Sequence, residues 1–167
     1  MSDRVVVYTD GSCDNAGSKS GGWAWVNLDA DTQGWGRPET PTTNQRMELA
    51  AVIEAIFAHP DRPLTVITDS RYAQMMYEAG WMQRWERNGW DRKTTSTGRE
   101  KPVENLDLVA AFHAVASAHP DLIIEWVKGH SGDPGNEAAD QLASLAAKEG
   151  PVWVPPSAPE RPQASLF

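Results

Sequence analysis

The order of predicted elements indicates an α/β fold, with a mixed five-stranded sheet and helices on both of its faces. Apolar runs rich in β-branched residues predict three successive strands within residues 4–37. Beyond residue 44, segments with apolar residues at helical spacing alternate with further short apolar runs, as in parallel β-α units. The length of 167 residues suits one domain with its own core.

The first three predicted strands follow one another through short polar turns, so we expect them to be antiparallel. Residues 4–10 form a continuous β-branched and aromatic run, which is typical of a buried strand. A Gly/Ser/Asn turn over residues 14–22 leads into a strand at 22–27. A hairpin turn at residues 29–31 then leads into a weaker strand at 33–37.

From residue 44 onwards helices and strands alternate. Apolar residues recur at helical spacing over residues 44–58, and Pro60 ends this predicted helix. The further predicted segments are a strand at 64–68, a helix at 70–78, a helix at 103–117, a strand at 122–127 and a helix up to about 148. Asp133 and Pro134 are typical of the N-cap and first turn of that last helix.

Four acidic residues stand where a metal site would need them. Asp10 and Asp69 end two predicted strands that have nearly identical sequence motifs. Glu48 and Asp140 lie in two predicted helices. Carboxylates at the ends of neighbouring strands point into the crevice where open α/β sheets bind ligands. Two such charges ~5 Å apart repel by roughly 3 kcal/mol at an effective dielectric near 20, so a cation is expected. Taken singly, each acid could instead be a helix cap or a surface charge.

Several sequence words resemble bacterial-type ribonuclease HI, in order from about residue 4 to about residue 147. They are Tyr-Thr-Asp10-Gly-Ser, Thr-Thr-Asn44-Gln-Arg-Met-Glu48-Leu, Thr-Asp69-Ser and Trp126-Val-Lys-Gly-His130-Ser-Gly. The resemblance implies a ribonuclease H-like fold over residues 1–149. It also implies an endoribonuclease that hydrolyses the RNA strand of RNA/DNA hybrids, leaves 5′-phosphate products, and removes primers and R-loops.

The same resemblance assigns the metal chemistry. Asp10, Glu48, Asp69 and Asp140 would hold two Mg²⁺ ions, with Mn²⁺ as a possible substitute, and Asp10 would bridge both ions. One ion would activate the attacking water and the other would stabilise the leaving 3′ oxygen. His130 would support proton handling or product release, although alone it could be an exposed loop histidine.

Polar side chains near the predicted catalytic mouth are candidates for contact with the hybrid. The amides of Asn15, Asn44 and Gln45 could distinguish the RNA 2′-hydroxyl, which both donates and accepts hydrogen bonds, from deoxyribose. Thr43 could contact a phosphate of the DNA strand. Without the resemblance, each of these residues reads as a turn or helix cap.

A segment rich in tryptophan and basic residues resembles the family's protruding basic handle, which holds the DNA strand. Its candidate contacts are Trp81, Trp85, Trp90, Arg84 and Lys93. Six basic and three acidic residues between positions 84 and 101 give this segment +3, on a chain whose formal net charge is −8. We expect weak, salt-sensitive binding. Trp81 and Trp85 could alternatively pack a short helix, since they are four residues apart.

Composition restricts the class of protein. The one cysteine, Cys13, allows neither an internal disulfide nor a cysteine zinc site. No apolar run approaches the roughly 18 residues of a membrane span, and residues 1–10 do not resemble a signal peptide. We therefore expect a cytoplasmic protein without membrane contact, and a monomer by default.

The sequence changes character after the predicted catalytic domain. Prolines predict an extended linker over residues 150–162. Residues 163–167 resemble the peptide by which bacterial proteins bind the DNA polymerase sliding clamp, with Leu166 and Phe167 as anchors and Gln163 adding orientation. Such a tether would raise the local concentration near replicating DNA. A tail without function is the alternative.

Two other functions stay open at this point. One is a nuclease of the same fold that acts on DNA, like a resolvase or transposase, although Asn44, Gln45 and the tryptophan-rich handle favour a hybrid substrate. The other is a non-catalytic adaptor that binds hybrids or the clamp. The presence of all four acids favours an enzyme over an adaptor.

Deleting residues 163–167 should abolish binding to the sliding clamp and leave hybrid cleavage intact, because the anchors lie outside the predicted catalytic domain. Clamp binding is measured by surface plasmon resonance, and cleavage by gel assay on the same preparations. Retained clamp binding after the deletion would refute the assignment of the tail.

Overall fold

The computed structural model describes residues 3–93 and 100–160, and the side chains of Lys93 and Glu100 lie outside that description. The strands are β1 (Val5–Cys13), β2 (Gly21–Asn27), β3 (Thr32–Gly36), β4 (Leu64–Thr68), β5 (Asp91–Lys93), β6 (Glu100–Pro102) and β7 (Leu122–Trp126). The helices are α1 (Asn44–Ala58), α2 (Arg71–Glu78), α3 (Trp81–Arg87), α4 (Leu106–Ala118) and α5 (Pro134–Glu149). The bounds of α1 and β4 match the predicted ones.

Five strands form one mixed sheet in the order β3-β2-β1-β4-β7. β1, β2 and β3 pair antiparallel, whereas β4 lies parallel to both β1 and β7. The predicted fold class is therefore confirmed. β5 and β6 form a separate two-stranded hairpin. This hairpin was not predicted, because three-residue strands of mostly charged residues carry no period-2 pattern.

Helices cover both faces of the sheet, as predicted. Gly11 of β1 lies against α1, whereas Ser12, the next residue, hydrogen-bonds to Ser144 of α5 on the opposite face. The main apolar core lies on the α1 side, where α1 packs against the sheet and α4 packs against α1. Val7, Leu49 and Phe112 are fully buried there. This packing fixes α1 over the centre of the sheet.

The residues before α5 and α4 determine where these two helices begin. Asp133 caps α5, as predicted, and its carboxylate accepts from the backbone N–H groups of Gly135 and Asn136 at 2.9 and 3.1 Å. α4 begins at Leu106, three residues later than predicted. Asn105 has a φ of 54°, a left-handed conformation that cannot continue a helix backwards towards residue 103.

Residues 150–153, here called the C-terminal strap, belong to the folded body. The Arg37 N–H donates to the Pro151 carbonyl at 3.0 Å, and the Trp153 N–H donates to the Arg37 carbonyl at 2.7 Å. The Trp153 indole donates to the Glu54 carboxylate at 3.0 Å and packs edge-on against Trp23, with ring centroids 6.1 Å apart. This differs from the predicted linker over 150–162: any free tether begins after residue 153.

In the described part of the chain, no helix is long and apolar enough to cross a membrane.

Trp153→Ala should lower the free energy of unfolding by about 2 kcal/mol, because it removes a half-buried aromatic ring and leaves the Glu54 carboxylate without its indole donor. Urea unfolding followed by circular dichroism measures the change. Val154→Ala is the matched control, since Val154 is 82% exposed and should change stability by less than about 0.5 kcal/mol. Equal effects of both variants would show that the strap does not stabilise the fold.

Candidate active site

Asp10 and Asp69 leave neighbouring parallel strands at the same end of the sheet. The register of β1 and β4 pairs Thr9 with Thr68, so the acids are the next residue on each strand. β1 continues to Cys13, beyond its predicted end at residue 10, because its antiparallel pairing with β2 persists after pairing with β4 stops. Asp10 is therefore held inside a strand and is only 5% exposed.

Glu48 reaches this point because α1 approaches β1 very closely. A Cβ atom at Gly11 would collide with the backbone of Met47 and Glu48, so only glycine permits the contact. The Glu48 carboxylate accepts from the Asn44 amide at 3.0 Å and from the Ser70 hydroxyl. One carboxylate oxygen from each of Asp10, Glu48 and Asp69 then lies within 4.8 Å of the others.

Asp140 comes from the opposite face of the sheet and joins the same cleft. α5 packs directly on the backbone of Gly22 in β2, where a side chain would collide with Ala147. The Asp140 carboxyl interacts with that of Asp10, and this contact is one of the causes that raise the pKa of Asp10. The structure thus brings all four predicted acids to one cleft, whose other lining residues are Gly11, Ser12, Cys13, Asn44, Gly129 and His130.

Burial and mutual repulsion dominate the electrostatics of this cleft. Burial, the charge of Asp69 and the hydrogen bond with Asp140 raise the pKa of Asp10 to about 9. Burial and the charge of Asp69 raise the pKa of Glu48 to about 7, although hydrogen bonds from Ser70 and Asn44 oppose the shift. Within residues 3–93 and 100–160, the ion pairs with Lys, Arg or His involve none of these acids. A hard divalent cation fits such an uncompensated, oxygen-only donor set.

Asp69 is oriented by neutral donors. The Trp126 indole donates to its backbone carbonyl at 3.0 Å, and the Asn136 amide donates to its carboxylate at 3.4 Å. Asn136 is a site residue that was not predicted from the sequence. The sequence could have indicated it, because Asn136 lies four residues before Asp140 on α5 and this spacing places both residues on one helix face. Ser70, the N-cap of α2 that directly follows Asp69, was missed as well.

His130 lies where the sequence analysis expected it. It is exposed on the rim of the cleft, in the connection between β7 and α5. Its φ of 55° is left-handed, as is that of Gly132, so the loop turns sharply there. This position allows contact with a ligand in the cleft, and the role of the imidazole stays a prediction.

The predicted substrate amides occupy the start of α1 and the nearby turn. Thr43 is the exposed N-cap of α1 and accepts from the Arg46 N–H, while Asn44 lines the cleft. The Gln45 carbonyl oxygen accepts from the Asn105 amide at 3.1 Å. Asn15 is exposed in the β1–β2 turn. Thr43 thus has a capping role and Asn15 a turn position, whereas Asn44 and Gln45 bond to the side chains of Glu48 and Asn105.

The tryptophan-rich handle is only partly available for binding. Trp90 is 8% exposed and packs edge-on against His113 in the core, which does not support its predicted contact with nucleic acid. Trp81 and Trp85 lie on α3 with ring centroids 6.0 Å apart, half-buried against the core, so they do pack a short helix. Arg84 is exposed. The Lys93 side chain lies outside the description.

The predicted clamp-binding residues Gln163, Leu166 and Phe167 also lie outside the described residues.

Comparison with known proteins identifies the family. A family model described as RNase H matches residues 2–148. The chain belongs to the RNase H family. A ribonuclease HI of Pseudomonas aeruginosa is 41% identical over 152 residues, covering 89% of this chain and 97% of the relative. A ribonuclease H of Rhodospirillum rubrum is 45% identical over 150 residues, covering 87% of this chain and 84% of the relative.

Solved structures agree on the fold. The crystal structure of LC9-RNase H1, described as a type 1 RNase H with the type 2 active-site motif, superposes with a TM-score of 0.67 at 30% identity. It covers 88% of this chain and 73% of that chain. A foamy viral protease-reverse transcriptase in complex with RNA/DNA hybrid has a TM-score of 0.70 at 24% identity, covering 86% of this chain and 20% of that chain. The latter shows the fold alone.

Membership of the RNase H family confirms the predicted enzyme class. The protein is a hydrolase that cleaves the RNA strand of RNA/DNA hybrids. Its family depends on divalent metal, and the Asp10, Glu48 and Asp69 carboxylates form a cluster compatible with that requirement.

Without metal, the stability of the RNase H fold should fall as pH rises. The pKa of Asp10 is raised from 3.8 to about 9, so its favourable contribution is complete below pH 3.8 and is lost as pH rises through 9. Glu48 likewise makes a favourable contribution to stability that is lost as the pH rises from 4.5 through about 7. We expect the free energy of unfolding in EDTA to drop by roughly 2 kcal/mol from about pH 5 to about pH 9.

Asp10→Asn should remove most of this pH dependence, since an amide cannot ionise. Asp29→Asn, in the exposed β2–β3 turn, is the matched control and should keep the wild-type slope. Urea unfolding at both pH values measures the effect. Parallel profiles for wild type and Asp10→Asn would contradict the account of a repulsive cluster.

Proposed function

We propose that this RNase H cleaves the RNA strand by a two-metal-ion mechanism, with Asp10, Glu48, Asp69 and Asp140 holding the ions. The observation that supports it is the cluster of three carboxylate oxygens within 4.8 Å, joined by Asp140 and unpaired with any cation among the described side chains. When bound, the ions would supply the Lewis acidity that activates water and stabilises the leaving 3′ oxygen. The products would carry 5′ phosphates.

The acids divide the work according to their surroundings. Asp10 is the most buried and interacts with both Asp69 and Asp140, so it would hold metal from the centre of the cluster. Asn44 and Ser70 hold Glu48, and Asn136 holds Asp69. These donors orient the carboxylates without adding a protein cation that would compete with the metal for them.

All-oxygen coordination and an open, water-accessible cleft favour Mg²⁺, with Mn²⁺ as a substitute. Water can complete the coordination of Mg²⁺, which keeps several of its own waters in most protein sites. A closed cage of protein ligands is therefore unnecessary here.

Recognition of the hybrid would depend on polar groups around the cleft. Asn44 and Gln45 at the start of α1 can read 2′-hydroxyls, and Thr43 can contact a phosphate of the DNA strand. Asn15 lies in a turn that can approach the same groove. Trp81, Trp85 and Arg84 of α3 provide a second, weaker contact with the DNA strand.

His130 is suited to proton handling or product release. Its exposed position on the rim of the cleft lets it reach a leaving group or a departing product without joining the acid cluster. The imidazole has two ring nitrogens that can donate or accept a hydrogen bond, which suits this supporting role.

The cellular role that follows is removal of RNA primers and R-loops by a monomeric, cytoplasmic enzyme. Residues 163–167 would tether it to the sliding clamp. Because the C-terminal strap keeps residues 150–153 on the body, the tether would comprise residues 154–162 and span at most about 28 Å in extended form.

The deciding experiment is cleavage of an end-labelled RNA/DNA hybrid with and without Mg²⁺. Wild type and the control Asp29→Asn should cut only the RNA strand, only with metal, whereas Asp10→Asn should lose at least about 10³-fold in rate because a shared ligand is gone. Mass spectrometry of the products should find 5′ phosphates.

Other outcomes identify the rivals. Binding without cleavage in Mg²⁺ would indicate an adaptor. Cleavage of duplex DNA would indicate a nuclease of the resolvase or transposase type. Cleavage by Asp10→Asn at the wild-type rate would refute the proposed metal site.

A further inference from the structure

A guanidinium stacks on an indole beside the acid cleft. The Arg71 guanidinium carbon lies 3.8 Å from the centroid of the Trp126 ring. Arg71 is the first residue of α2 and Trp126 is the last residue of β7, and both side chains are exposed. Stacking on tryptophan is the strongest of the cation–π arrangements, so it restricts where this long side chain can go.

The pair is attached directly to Asp69. The Trp126 indole N–H donates to the Asp69 backbone carbonyl at 3.0 Å, and Arg71 follows Asp69 by two residues. Gly129, from the loop that follows Trp126, packs so closely that a Cβ atom there would lie 2.7 Å from the Asp69 carboxylate. Trp126 is therefore bonded to the backbone of Asp69, and Arg71 lies over its ring, next to the residues that line the cleft.

The contact with the Trp126 ring leaves the N–H groups of Arg71 without a hydrogen-bond acceptor among the described residues. A guanidinium held over a ring can still donate to phosphate oxygens in a bidentate manner. Among the described residues, no ion pair or hydrogen bond engages the Arg71 side chain. Arg46 differs, since its guanidinium is occupied by the Asp107 carboxylate at 2.7 and 2.9 Å.

We propose that Arg71 binds a non-scissile phosphate of the nucleic-acid backbone as the strand passes over the rim, and that Trp126 is its positioning residue. The proposal rests on the proposed function, in which the scissile phosphate lies over the acids. A strand in that position carries its neighbouring phosphates past the edges of the cleft. On a chain of net charge −8, a preorganised cation here supplies attraction at the point where the acids repel the backbone.

The test compares Arg71→Gln, Arg71→Lys and the control Arg62→Gln in steady-state hybrid cleavage from about 50 to about 200 mM salt. Arg62 precedes β4 at the opposite end of the sheet and binds the Asp3 carbonyl. Arg71→Gln should raise KM about 5- to 10-fold, change kcat less than about twofold, and reduce the log–log salt slope by about 0.7–0.9. Arg71→Lys should keep the slope with an intermediate KM, and Arg62→Gln should match wild type.

Trp126→Leu tests the positioning role. It should raise KM towards that of Arg71→Gln while keeping the wild-type salt slope, because the charge remains but is no longer held. Trp126→Leu also removes the donor to the Asp69 carbonyl, so kcat should fall in the single and the double variant alike, and the coupling is read from KM alone. Combining Trp126→Leu with Arg71→Gln should raise KM little beyond Arg71→Gln alone, and full additivity of the two effects on KM would refute the coupling.

One rival explanation is that Arg71 only offsets the charge of Asp69. In that case Arg71→Gln would tighten Mg²⁺ binding, measured by calorimetry, and leave the salt slope unchanged; this result would overturn the proposal. The same salt series is measured for hybrid Kd in an Asp10→Asn background. Suppose that Arg71→Gln changes the salt slope of hybrid binding in that background while the wild type cleaves no hybrid. This result would support the phosphate contact and refute the proposed mechanism.

Discussion

The forced proximity of carboxylates at the ends of β1 and β4 is the constraint on which the rest of the molecule depends. Parallel pairing of Thr9 with Thr68 puts Asp10 and Asp69 side by side, and the absence of a side chain at Gly11 lets α1 bring Glu48 against them. Burial and repulsion then raise the pKa values of Asp10 and Glu48. The protein keeps this unfavourable arrangement because the core between the sheet and α1 stabilises it, and a divalent cation offsets the repulsion.

Neutral donors hold the acids in place. Asn44, Ser70, Asn136 and the Trp126 indole orient Glu48 and Asp69 without adding positive charge to the cleft. A lysine or arginine in the same positions would stabilise the metal-free fold but would compete with the metal for the carboxylates. Because these donors are neutral, the metal cofactor has to offset the negative charge of the acids. The fold is therefore less stable when the metal is absent.

Ion pairs occupy part of the positive charge that could meet nucleic acid. Arg46 is bound by Asp107, and Arg92 pairs with Glu104 at 3.1 Å. Arg71, over the Trp126 ring, and Arg84, exposed on α3, are better placed to meet a phosphate backbone. On a chain of net charge −8 we expect binding to depend on such local contacts, so salt should weaken it.

Local sequence patterns were enough to predict several features of the fold and the site. The bounds of α1 and β4, the Asp133 cap and the convergence of the four acids followed from periodicity, capping chemistry and family motifs. The burial of Trp90, the extension of β1 to Cys13 and the docking of residues 150–153 became evident only in the folded molecule. Each of these depends on partners distant in the sequence, and local composition does not specify which partner a strand edge, an indole or a proline-flanked carbonyl will meet.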